Sequence, residues 1–199
     1  MRRTKNSTTR TPVQKTIGQF WGASPIWITW NQIAQTLSER HDASLVKAAT
    51  TFGDLDVTLA DATIALYDAK YTFLVWRPIT AIREAATAPP YNSAIAGNAN
   101  WEALAKTAPD PSYPGAHSTL SKAAATVLDH FFGDHQSFTV KSDMLPGATR
   151  SFDSILAAAD EAGLSRIYAG QHTRLDHVAG QALGSQVAQF DLGQLDSAP

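Results

Sequence analysis

The chain has 199 residues, of which 44% are apolar and 17% charged, with a formal net charge of −2 and a pI near 6.3. That is the length of one ordinary domain with enough apolar content for a core, and the near-neutral balance excludes a general attraction to nucleic acid or acidic membranes. Cysteine is absent, which excludes disulfides, thiolate nucleophiles and thiolate metal sites.

Residues 1–11, basic and polar, read as a flexible tail. No apolar stretch follows MRRTKNSTTRTPVQK, so no secretory signal is read and the expected location is cytoplasmic. No apolar run approaches the ~18–20 residues of a membrane span; the nearest, Phe73 to Trp76, is a short patch. Pro12 to Trp21 reads as a short helix. Ser24-Pro25 breaks it, because proline fits the first turn of a new helix. Trp27, Trp30, Ile33, Ala34 and Leu37 recur at helical spacing to about Arg40. Asp42 or Ser44 caps the next helical stretch, which Gly53 is expected to divide in two and which ends near Arg77-Pro78. Residues 88–114 form a long proline-rich connection of the kind that is usually functional. A helix follows over about Ser118 to Phe132. Phe138–Lys141 and Thr149–Phe152 pair as a small hairpin. Ser151 or Ser154 caps a helix to about Tyr168, Gly170 interrupts it, and a last helix runs from about Thr173 to Phe190. The expected fold is all-α, a helical bundle, with sites built on facing helices.

Three segments carry chemistry. In KYTFLVWRP, Lys70 and Arg77 are seven residues apart, which on one helix returns nearly to the same face. The bland reading is two surface cations snorkelling from a buried helix. In YPGAHS, a turn leads straight into a helix whose free backbone N–H groups attract an anion. Gly115 and Ala116 let that backbone approach closely, and His117 stands beside it with a pKa suited to proton transfer near neutrality. In SRIYAGQHTRLD, Gly170 permits a break that turns Arg166 and His172 toward one pocket, and Asp176, one turn on from His172, can orient its ring.

Together the segments resemble the superfamily of type 2 phosphatidic acid phosphatases and vanadium-dependent haloperoxidases, whose pattern is K-x6-R-P, P-S-G-H and S-R-x5-H-x3-D. Here it stands as Lys70/Arg77/Pro78, Pro114-Gly115-Ala116-His117 and Ser165/Arg166/His172/Asp176. The run RPITAIRE looks like the soluble haloperoxidase branch, and the resemblance extends from about Asp42 to Phe190. It implies a single helical domain over 12–199, the C-terminal half of a longer architecture or a minimal member. It implies an anion site of Lys70, Arg77, Gly115, Ala116 and Arg166, with His117, His172 and Asp176 as the catalytic residues. In the haloperoxidase reading vanadate is the cofactor, His172 its axial metal ligand, and peroxide the oxidant of halide. In the alternative, an acid phosphatase without cofactor, His172 forms a phosphohistidine and His117 protonates the leaving oxygen. A non-catalytic anion-binding protein and a metal hydrolase built on His172, Asp176 and His177 also stay open. The implied partner is a small anionic substrate; oligomeric state is not legible. Gly115 and Ala116 depart from the family's serine and glycine. Asp110, seven residues before His117, stands where some haloperoxidases have an aromatic residue, and its charge weakens the case for a halide pocket.

Overall fold

The computed structural model describes residues 10–87, 97–142 and 144–195. Among them the elements run α1 (Pro12–Phe20), α2 (Ile26–Arg40), α3 (Leu45–Phe73), α4 (Pro78–Glu84), α5 (Ala116–Phe132), β1 (Phe138–Lys141), β2 (Thr149–Phe152), α6 (Ile155–Tyr168) and α7 (Arg174–Leu195). The architecture is an all-α bundle with one two-stranded hairpin, paired antiparallel from Phe138 opposite Phe152 to Lys141 opposite Thr149. The expected tail falls almost wholly outside the described residues, as does the 88–96 part of the proline-rich connection.

Local chemistry sets the helix starts. Thr11 and Gln14 form a reciprocal capping box ahead of Pro12. Ser44 caps α3 by accepting from the Lys47 N–H, and Ser154 caps α6 by accepting from the Ala157 N–H. Two expectations are corrected. Gly53 does not divide α3, which continues for 29 residues: Gly53 is exposed with open space around its Cβ position, so its propensity cost of ~1 kcal/mol is carried by the packed face of the helix. Trp27 lies outside the core at 54% exposure, and Ile26 takes its place in the buried stripe with Trp30, Ile33, Ala34 and Leu37.

Helix α5 is the axis of the bundle, packed by α2, α3, α6 and α7. Leu120, Ala123, Ala124, Val127 and Leu128 are buried along it. It meets α7 closely because Gly180 and Gly184 lie one turn apart on the facing side. A Cβ at Gly184 would fall 2.1 Å from the Thr119 carbonyl oxygen, and one at Gly180 would fall 2.7 Å from that of Gly115. That approach draws the start of α5 against the start of α7, where the Gly115 N–H donates to the Asp176 carbonyl at 2.9 Å. Among the described residues no helix is long and apolar enough to cross a membrane.

Candidate active site

Lys70 occupies the last turn of α3 and is fully buried. Helix α3 ends one turn later because Leu74 takes a left-handed conformation at φ 49°. Arg77 is extended ahead of Pro78, as a residue before proline prefers. The two cations therefore do not share a helical face, as the seven-residue spacing suggests, but reach one point from a helix end and from the link after it. That point is segment 110–112. Lys70 Nζ lies 2.9 Å from Asp110 Oδ2 and donates to the carbonyls of Pro111 and Ser112. Arg77 Nε donates to the Asp110 carbonyl at 2.8 Å, and its Nη2 to Asp110 Oδ2 at 3.0 Å.

The loop is fixed by backbone bonds from both sides. The Ser112 N–H donates to the Val75 carbonyl and the Leu104 N–H to that of Ala169, each at 2.8 Å. At the α6–α7 junction, Gly170 at φ 77° ends the helical path. The break lets Arg166, on the last turn of α6, and His172, six residues on, both approach Arg77. Arg77 Nη1 lies 3.0 Å from His172 Nε2, and Arg166 feels the Arg77 charge. Arg166 is held by the Gly18 carbonyl and the Gln171 side-chain oxygen. Gln171 is in turn fixed by donating to the Lys106 carbonyl at 2.8 Å.

Asp176 has two tasks. With Thr173 it forms a capping box on α7: its Oδ2 accepts from the Thr173 N–H at 2.7 Å, and its own N–H donates to Thr173 Oγ1 at 3.2 Å. The same Oδ2 accepts from Ser112 Oγ at 2.8 Å and faces His172 Nδ1 at 3.4 Å. Burial alone would raise the Asp176 pKa, but the bonds from His172 and the Thr173 N–H hold it below the usual carboxylate value. The His172 pKa falls to about 4, mainly through burial, with the Arg77 and Lys70 charges adding to it against the pull of Asp176. A neutral ring with its Nδ1 hydrogen toward Asp176 presents the Nε2 lone pair to Arg77.

His117 requires a correction. Its Nε2 donates to the Trp21 carbonyl at 2.9 Å, and burial together with the Arg166 charge lowers its pKa to about 3. It is thus neutral, not poised near neutrality. The Arg166 pKa is itself pushed down to about 10, by burial first and Arg77 second, so it stays charged at neutral pH. Gly115 is the N-cap of α5, so Ala116 and His117 supply first-turn N–H groups. A Cβ at Gly115 would sit 3.2 Å from the Asp176 carbonyl oxygen and 3.3 Å from Ser118 Oγ. The family's serine would be tight here.

His177, one candidate in the metal-hydrolase reading, turns away from this cluster. It lies between Ser118 Oγ at 3.0 Å and Asp160 Oδ1 at 3.2 Å. Among the described residues no three His, Asp or Glu side chains gather as a metal site. A cavity of about 470 Å³ opens beside His172, walled by Pro78, Ile82, Trp101, Ile167 and Leu175. Ser112 and Gln171 escaped sequence reasoning because Ser112 lies just before the second segment and Gln171 occupies an unspecified position of the third. Asp110 was visible only as a departure from the family pattern, and its contact with Lys70 and Arg77 had no signature in spacing.

The chain is similar to known proteins over most of its length. It is 23% identical to the vanadium chloroperoxidase of Curvularia inaequalis across 96% of this chain and 41% of that protein. A bacterial vanadium-dependent iodoperoxidase of known structure superposes with a TM-score of 0.81 and 30% identity, covering 91% of this chain and 43% of the other. The holo form of a bacterial vanadium-dependent chloroperoxidase gives 0.70 at 15% identity, covering 94% and 45%, which bears on the fold alone. The chain thus spans less than half the length of these relatives. The family model for the second helical-bundle domain of vanadium chloroperoxidase matches residues 51–197, and the chain belongs to that family, within the haloperoxidase and phosphatase superfamily.

Proposed function

We propose that the protein binds a tetrahedral oxyanion between Lys70, Arg77, Arg166 and the start of α5, and that with vanadate there it oxidises halide with hydrogen peroxide. The carrying observation is the 3.0 Å approach of Arg77 Nη1 to His172 Nε2, in a family whose similar members are vanadium haloperoxidases. The donor set suits vanadate: the guanidinium and ammonium groups would hold its oxygens, and the neutral His172 imidazole, backed by the Asp176 carboxylate, would supply a nitrogen ligand. When bound, vanadate supplies a Lewis-acid centre at which peroxide is activated toward halide. The chain's own residues do the rest. His172 holds the anion through Nε2, and Asp176 and Ser112 keep its ring in place. Lys70, Arg77 and Arg166 neutralise charge on the oxygens, with the Ala116 and His117 N–H groups completing the cradle. His117 is neutral in its surroundings and holds its Nε2 hydrogen on the Trp21 carbonyl. It becomes a proton donor only when the negative charge of the bound anion offsets Arg166 and Arg77 and draws its pKa upward.

The Asp110 carboxylate beside Lys70 favours a second reading, since it repels halide. That reading is an acid phosphatase. His172 Nε2 would attack phosphorus in line, the bond to the leaving oxygen would break, and water would release phosphate from the phosphohistidine. The test loads purified protein with vanadate and follows bromide, then chloride, oxidation by peroxide beside p-nitrophenyl phosphate hydrolysis. Vanadate-dependent halide oxidation, with bromide the easier ion, is the expected result. Phosphatase activity that vanadate blocks, without peroxidase activity, selects the second reading. Anion binding with neither activity leaves a binding protein.

A further inference from the structure

The donors of Lys70 and Arg77 are already committed. An ammonium has three N–H groups, and those of Lys70 face Asp110 Oδ2, the Pro111 carbonyl and the Ser112 carbonyl. Arg77 gives Nε to the Asp110 carbonyl, Nη2 to Asp110 Oδ2, and Nη1 to the Gln171 carbonyl and His172 Nε2. One carboxylate oxygen therefore bridges two of the three cations, within 3.0 Å of each. The backbone beside it is anchored independently, through the Ser112 N–H on the Val75 carbonyl and Ser112 Oγ on Asp176. The Asp110 side chain keeps 14% exposure, while Lys70 has none. It can swing toward solvent without carrying segment 111–112 along. With Asp110 in place, three cations face two carboxylates, Asp110 and Asp176, and the cluster has room for about one negative charge.

We propose that Asp110 is an internal anion that competes with tetrahedral oxyanions for Lys70 and Arg77, and so determines how tightly and at what charge the site binds them. This rests on the oxyanion reading above. The carboxylate satisfies two buried cations when no ligand holds them, and an incoming oxyanion must exchange with it. Removing the carboxylate exposes the cations to the ligand and withdraws their internal partner. The variant should bind better and fold less stably, a pairing that a merely structural aspartate would not give.

The experiment titrates inorganic phosphate and orthovanadate into the wild-type chain, Asp110→Asn, Asp110→Ala and Asp110→Glu by calorimetry at pH 7, with thermal unfolding of each without ligand. Asp110→Asn and Asp110→Ala are expected to bind at least about tenfold more tightly, which is about 1.4 kcal/mol, and to melt lower when free. Asp110→Glu, which keeps the charge, should stay within about threefold of wild type. Wild-type binding that neither neutral variant improves overturns the proposal and leaves the oxyanion reading standing. No binding by any of the four overturns both. Should the neutral variants not fold, a phosphate-soaked crystal of the wild type decides. Asp110 swung off Lys70 or Arg77 supports the proposal, and phosphate bound to both cations with the two Asp110 contacts intact overturns it.

Discussion

Helix α7 begins beside two buried histidines five residues apart, and their surroundings differ completely. His172 stands at the junction before the helix, facing Arg77 Nη1 at 3.0 Å with Asp176 behind it. His177 is one turn into the helix on the opposite side, between Ser118 and Asp160, with Gly163 so close that a Cβ there would fall 2.5 Å from its Nδ1. The neighbours in α5 divide the same way: His117 faces Arg166 and Trp21, while Ser118 faces His177. Both histidines have a carboxylate and a serine, so a serine–histidine–aspartate set alone does not mark a site. Cations and a neighbouring cavity stand beside His172. Ser118 is 1% exposed beneath packed helices, which leaves a reactant no access to its hydroxyl.

The sharpest way to break this contrast is to remove each ring. His172→Ala is expected to lower turnover by on the order of 10³-fold or more, with native circular dichroism, since on the proposed function it deletes the group that contacts the reacting centre. His177→Ala should leave kcat/KM within about threefold while costing roughly 1–3 kcal/mol of stability, because Ser118 is left buried without its partner. Equal activity losses in the two variants, measured at matched folded fractions, would erase the distinction.

Two glycines sharpen it with smaller effects. A Cβ at Gly22 would lie 2.5 Å from Arg166 Nη1, and one at Gly163 would lie 2.5 Å from His177 Nδ1 and 2.6 Å from Ser118 Oγ. Gly22→Ala should displace Arg166 and cost about tenfold or more in turnover, as loss of part of one oxyanion donor would. Gly163→Ala should instead cost about 1–3 kcal/mol of overpacking with little kinetic change. Steady-state kinetics beside urea unfolding separates the two.

The smallest effect is electrostatic. The His117 pKa is about 3 when folded, lowered chiefly by burial and then by Arg166, against about 6.5 unfolded. Between those values the unfolded chain binds a proton the folded chain refuses, so His117 favours folding fully above pH 6.5 and loses that contribution as pH falls toward 3. Allowing for its partial exposure, the slope is on the order of 1 kcal/mol per pH unit. His117→Gln should flatten the acid limb of stability between pH 6.5 and 4 by that amount. An unchanged slope in urea unfolding would mean the ring is not held neutral.

Most of the helical pattern was legible in the sequence because its causes are local. Pro12, Ser44, Ser154 and Gly170 are capping and breaking residues whose effect does not depend on distant chain, whereas the Thr11 cap, inside the expected tail, was not read. Apolar spacing gave α2, and the two short segments Phe138–Lys141 and Thr149–Phe152 were read as the hairpin that they form. The three motif segments were likewise readable: the first meets the third where Arg77 faces His172, and the second joins the third through the Gly115 N–H on the Asp176 carbonyl. Spacing alone misjudged how they meet. It put Lys70 and Arg77 on one helical face, because periodicity carries no information about a left-handed residue such as Leu74.

What the sequence by itself determined is therefore most of the elements, though not the unbroken α3 or the short α4, together with the family and the inventory of charged and imidazole groups, since each follows from residues near one another in the chain. What only the tertiary structure decided is how those groups are paired. Asp110 reaches Lys70 and Arg77 across 40 and 33 residues, and Ser112 reaches Asp176 across 64. Trp21 meets His117 across 96. Such pairings, and the burial that moves the histidine pKa values down, depend on which helices pack together. That is settled by the close crossing of α5 and α7 at Gly180 and Gly184, where the absence of side chains lets the two helix starts, and with them the whole charged cluster, come within hydrogen-bonding distance.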